Sequence, residues 1–110
     1  MPSYSKNEVV LVRYPFSDLS NSKIRPAIVT NSSHVSRDAI IVALISKTAS
    51  LLAGEFALSE WKSAGLNTET AVKRAIFTIN QKLIIKRVGK LSAVDAGELE
   101  RSLRNWLSLQ

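Results

Sequence analysis

The stretch Glu8–Asn31, EVVLVRYPFSDLSNSKIRPAIVTN, constrains the fold more than any other part of the chain. Val9–Tyr14 is rich in apolar and β-branched residues and predicts a strand. Pro15–Ile24 is a polar loop, and Ala27–Thr30 predicts a second strand. Proline lacks a backbone N–H and fixes its own φ, so Pro26 is expected at the start of that strand. It also keeps Arg25 out of helical geometry. Arg25 is then a permanently charged, five-donor fork at a loop–strand junction, suited to gripping a phosphate or carboxylate. It also reads as a plain surface cation paired to Asp18 in the same loop.

The rest of the chain continues the pattern. Ala39–Ile45 (AIIVALI) is continuously apolar, as expected of a central strand covered on both faces. Gly54–Leu58 predicts a short strand, Ala71–Ile79 a longer one, and Leu83–Val88 another, with Lys86, Arg87 and Lys90 near its end. Ser59–Ala64 predicts one or two helical turns, with Ser59 as cap and Gly65 as stop. Ser92–Leu107 is the one long helix. Ser92 caps it, and Asp95 stands at the capping-box position. Ala96, Leu99, Leu103 and Trp106/Leu107 form its apolar stripe, and Glu98, Arg101, Asn105 and Ser108 lie opposite. Trp106 reads as core, or else as a dimer contact. The expected fold is mainly β with a C-terminal helix: a small, strongly bent sheet or barrel packed by that helix. At 110 residues the chain is expected to be a single domain over 1–110 with one modest core.

Composition removes whole classes of chemistry. There is no cysteine, so neither a disulfide scaffold nor a thiolate metal site can form. The one histidine, His34, cannot build a multi-histidine zinc site. It lies in the loop NSSHVSRD, where nothing resembles a nucleophile elbow, and reads as a solvated residue. No phosphate loop, dinucleotide glycine fingerprint or His-Glu-x-x-His is present. The N-terminus lacks a signal-like apolar core, and Ala39–Ile45 is far shorter than the ~20 residues a membrane helix needs. A soluble, cytoplasmic protein with no membrane contact is expected. With 15 Lys+Arg against 9 Asp+Glu, the formal charge of +6 favours polyanionic partners. A hydroxyl–cation step, Ser46-Lys47-Thr48, ends the apolar strand. A hydroxyl held by a buried strand can donate to a phosphate oxygen, although serine is also a routine strand terminator.

Taken in register, EVVLVRYPFSDLSNSKIRPAIV, IIVALIS and GLNTETAVKRAIFTINQKLIIKRVGKLS resemble the PemK/MazF (Kid) family of toxins of type II toxin–antitoxin systems, from about Lys6 to about Leu107. The resemblance implies a small SH3-like barrel of the CcdB/PemK type, working as a homodimer. It implies metal-independent, cofactor-free cleavage of single-stranded RNA, often mRNA, and neutralisation by a cognate acidic antitoxin. Arg25 matches the family's active-site arginine, and Ser46 its active-site threonine with the methyl lost. Phe56 matches an RNA-contacting position of some members, while Lys47 and Thr78 lie beside matched positions. Lys47, Lys73 and Arg74 are expected to supply a cationic groove for RNA, with Phe56 as a stacking face. Lys73-Arg74 also stands where some members carry an acidic residue, and the first loop offers only Asp18 for proton transfer. A non-catalytic toxin of the same fold, acting as a gyrase poison or an inactive antitoxin-binding relative, is the alternative. A generic basic nucleic-acid-binding barrel is a third.

Overall fold

The computed structural model describes residues 4–14, 23–31 and 37–109. Asp18 and His34 lie outside them. Six strands form one sheet: β1 (Glu8–Tyr14), β2 (Lys23–Val29), β3 (Asp38–Ile45), β4 (Phe56–Ala57), β5 (Ala71–Asn80) and β6 (Ile84–Lys90). Their order is β4-β5-β3-β2-β1-β6, with every pairing antiparallel. A 3₁₀ turn, Gln81–Leu83, carries the chain from β5 to β6, and α1 (Ala93–Trp106) closes it. This is a mostly β half-barrel with one C-terminal helix. Register shifts in β1–β6 and β3–β5 supply the bends that curl the sheet.

Side-chain alternation explains why the inner strands are apolar on both faces. Val9, Ile28, Val42, Leu44 and Val72 point to the face that α1 covers through Leu99. Val10, Val12, Ala27, Val29 and Ile41 point to the other face, where Tyr4, Tyr14, Phe77 and Leu83 pack. Full burial of Ile28, Ile41 and Leu44 contributes roughly 1.5–3 kcal/mol each.

Pro26 does not open β2: the strand begins at Lys23, so Arg25 and Pro26 both lie within it. The backbone directions explain why proline is tolerated there. The Val29 carbonyl accepts from Asn7 N–H, whereas Thr30 N–H donates to Ile40 on β3. Alternating back along the strand, Arg25 aims its backbone at β1, and Pro26 aims at the β3 side. The β2–β3 ladder stops at Ala27↔Ala43, so the missing N–H of Pro26 costs no ladder bond. Beyond that point the two strands part.

The Ser59–Ala64 segment forms turns, and Ser59 is not their cap. Asp95, fully buried in the first turn of α1, reaches across instead. Its two carboxylate oxygens accept from Ser59 N–H (2.9 Å) and Glu60 N–H (3.0 Å). Ser92 caps α1 as expected, accepting from Asp95 N–H at 3.2 Å. Gly65 ends the turns with φ +89°, and a Cβ there would lie 2.0 Å from the Val88 carbonyl oxygen. The turn therefore packs backbone to backbone on β6. The apolar stripe of α1 ends at Trp106, which packs on the core and donates from Nε1 to the Ala53 carbonyl at 3.0 Å. Leu107, read as part of the stripe, is the C-cap and is exposed.

Candidate functional site

Where β2 and β3 part, an open groove of about 960 Å³ forms. Leu11, Pro26, Leu44 and Ile45 give it an apolar floor, continuous with the core. The turn after Gly65, seated on β6, provides one wall with Leu66, Asn67, Thr68 and Thr70. The Thr70 hydroxyl donates to the Thr68 carbonyl at 2.8 Å, which stiffens that wall.

Five cations line this groove: Arg25, Lys47, Lys73, Lys86 and Arg87. Ser46, at the end of β3, stands among them with its side chain exposed. Sheet order accounts for the convergence. β1 lies between β2 and β6, pairing Val12 with Arg25 on one side and Leu11 with Lys86 on the other. Two cations distant in sequence thus flank a single strand. No carboxylate or imidazole is among the described groove residues. Among the described residues, no three His, Cys, Asp or Glu side chains gather as a metal site would need.

Of the described residues singled out from the sequence, the groove collects Arg25, Ser46, Lys47 and Lys73 but not Phe56, Arg74 or Thr78. Phe56 packs against the apolar cluster beneath α1. Thr78 is exposed farther along β5, opposite Ile40, and Arg74 is exposed outside the groove lining. The Arg74 N–H donates to Glu55 at 2.9 Å, and the other Glu55 oxygen accepts from Leu52 N–H at 2.8 Å. Those two bonds, with the charges of Lys73 and Arg74, hold the Glu55 carboxyl below its usual range. A carboxylate therefore stands beside Lys73-Arg74 after all, delivered from the chain before β4.

Sequence reasoning missed Lys86, Arg87, Asn67, Thr68 and Thr70 as groove residues. The run LIIKRVGK signalled a cation cluster, but only the β1–β6 pairing shows what it faces.

Tyr14 lies two residue pairs beyond Val12↔Arg25. Burial pushes its hydroxyl up to about 12, while the Arg25 charge pulls the other way. Its ring meets Phe77 edge-on at 5.9 Å.

A family model for PemK-like, MazF-like toxins of type II toxin–antitoxin systems matches residues 5–107. The chain belongs to that family. Solved structures agree at the level of the fold. MazF in a MazE–MazF crystal from Deinococcus radiodurans superposes with TM-score 0.80 at 12% identity, covering 100% of each chain. An endoribonuclease in complex with its cognate antitoxin, from a mycobacterial species, gives 0.74 at 14% identity, covering 100% of this chain and 98% of the other. The Mycobacterium tuberculosis toxin MazF-mt6 gives 0.74 at 18% identity, covering 94% and 98%. No match is found among curated proteins. No helix among the described residues of this PemK/MazF-like chain is long and apolar enough to cross a membrane.

Proposed function

We propose that this chain is the toxin of a type II toxin–antitoxin pair and cleaves single-stranded RNA within the cationic groove. The observation that carries this reading is the convergence of Arg25, Ser46, Lys47 and Lys73 on one cleft without a carboxylate among its described residues. A polyanion is the ligand such a surface attracts. The substrate is single-stranded, because in-line attack on a phosphate needs an unstacked, splayed backbone.

In this reaction the neighbouring 2′-hydroxyl oxygen attacks the phosphorus, and the bond to the 5′-oxygen of the next nucleotide breaks. The products are a 2′,3′-cyclic phosphate and a 5′-hydroxyl. Negative charge builds on the non-bridging oxygens in the transition state. Arg25 stabilises it with charge-assisted donors, and the Ser46 hydroxyl donates to a phosphate oxygen beside it. The guanidinium does not take the 2′-hydroxyl proton, because arginine is a permanent cation with no free base to offer at the working pH. Asp18 is the proton-transfer group we assign. Lys47 and Lys73 hold the flanking phosphates in the groove, and Arg74 and Thr78, exposed on β5 outside it, are further RNA contacts, whereas Phe56 stays packed beneath α1. The chain works as a homodimer without a metal ion, as one toxin domain over residues 1–110, and an acidic antitoxin segment covers the groove in the neutralised complex.

The test is cleavage of a synthetic RNA panel in the presence of EDTA, with the product ends identified by mass spectrometry. Cutting that survives EDTA and leaves cyclic phosphate is the expected result. Loss of cutting on chelation sinks the metal-free mechanism. The lack of a carboxylate or imidazole among the described groove residues favours one second reading, a non-catalytic toxin of the same fold. RNA left intact, together with inhibition of gyrase supercoiling, would select it.

A further inference from the structure

Glu8, the first residue of β1, is only 6% exposed. Glutamate is rarely so buried unless it is paired. One of its oxygens accepts from Ser5 N–H at 2.6 Å, and the other accepts from Arg87 Nη1. Burial pushes this carboxyl up, but Ser5 N–H, Arg87 and the nearby Lys90 outweigh it and hold the group below its usual range. It is therefore ionised at neutral pH. The two ends of the pair differ sharply in environment. The Glu8 side chain is 8% exposed, whereas that of Arg87 is 60% exposed and lines the cationic groove.

An arginine on an edge strand ordinarily loses much side-chain entropy when it fixes on a ligand. Here a carboxylate anchored by its own strand and by Ser5 holds one nitrogen of the guanidinium. The planar fork has five donors in fixed geometry, so tethering one end leaves others directed elsewhere. We propose that Glu8 is a positioning residue that presents Arg87 to an RNA phosphate in the groove, on the opposite side of β1 from Arg25. This rests on the RNA-binding reading of the groove and extends it with a residue that does not touch RNA itself.

The proposal can be separated from a purely structural ion pair by the sign of an effect. Replacing Glu8 with glutamine removes a negative charge. If the pair only braces the fold, the more basic surface binds RNA equally well or more tightly. If Glu8 positions Arg87, binding weakens although the charge has become more favourable. The experiment uses the full chain and a random-sequence pool of single-stranded 2′-O-methyl oligoribonucleotides, whose blocked nucleophile prevents cleavage. Arg87→Ala is expected to weaken binding about tenfold, and Glu8→Gln about threefold or more. In the double variant Glu8→Gln should add nothing to Arg87→Ala, because it acts through that residue. Thermal unfolding establishes that each variant is folded. If Glu8→Gln is not, Glu8→Asp keeps the charge but retracts it by one methylene, and the same loss and the same non-additivity are expected. Parental or tighter binding by the folded Glu8 variant, or losses that multiply in the double variant, overturns the proposal alone. A parent chain that binds no RNA overturns the groove reading along with it.

Discussion

Arg25 is exposed, and its guanidinium carries no core packing, so its removal should leave the fold intact. Losing one preorganised donor to a transition-state oxyanion costs about 3 kcal/mol, so Arg25→Ala should lower the cleavage rate by about a hundredfold or more. Parental cutting by that variant would remove Arg25 from the chemistry. The same substitution has a second readout that needs no RNA. Burial pushes the Tyr14 hydroxyl up to about 12, and the Arg25 charge opposes that shift. Without the cation, Tyr14 should ionise at still higher pH, visible in an ultraviolet titration of Arg25→Ala against the parent, with Tyr14→Phe identifying the band. The sign for stability follows from linkage. A tyrosine raised from its ordinary value near 10 favours folding fully below that pH, and its contribution drains away as pH rises toward 12. An unchanged titration in Arg25→Ala would place the guanidinium away from Tyr14.

The elements were legible where local pattern and tertiary demand coincide. β1, β3, β5 and α1 follow their apolar periodicity to within a residue or two. Pro26 and Asp95 were misread because their roles are set by partners far away in sequence. The proline is allowed within β2 because the β3 ladder has already ended, which no local pattern reveals. Asp95 has the spacing of a capping box, yet its carboxylate caps a turn 35 and 36 residues upstream. The groove was half legible: Arg25 and Ser46 sit at strand positions that the sequence marks, whereas Lys86 joins them through strand pairing alone. Two stability tests follow from α1. Asp95→Ala leaves the Ser59 and Glu60 N–H groups without their charged acceptor and should cost about 2–4 kcal/mol in urea unfolding, while Asp95→Asn keeps one acceptor and should cost less. Gly97 stands in the middle of α1, where a Cβ would meet nothing within 4 Å. Gly97→Ala should therefore stabilise the chain by roughly 0.5–1 kcal/mol, the helix-propensity difference. A destabilised Gly97→Ala would mean that this face of α1 is covered in solution.

At the scale of the whole molecule, a formal charge of +6 says only that polyanions are attracted. The fold makes that attraction local by bringing Arg25, Lys47, Lys73, Lys86 and Arg87 to one groove. Such clustering has a measurable consequence that diffuse charge lacks. Each phosphate neutralised on a single strand releases counterions, giving a slope of log affinity against log salt near −0.7 per contact. If all five cations engage phosphates, the slope is about −3.5, and a fourfold rise in salt weakens RNA binding roughly a hundredfold. Neutralising one groove cation, as in Lys86→Gln, should reduce the steepness by about 0.7. Neutralising a cation remote from the groove, such as Arg101 on the outer face of α1, should leave the slope unchanged. Equal effects from the two substitutions would show that RNA samples the general positive field of the molecule. A loss confined to Lys86→Gln would tie RNA binding to the cleft where β2 and β3 part.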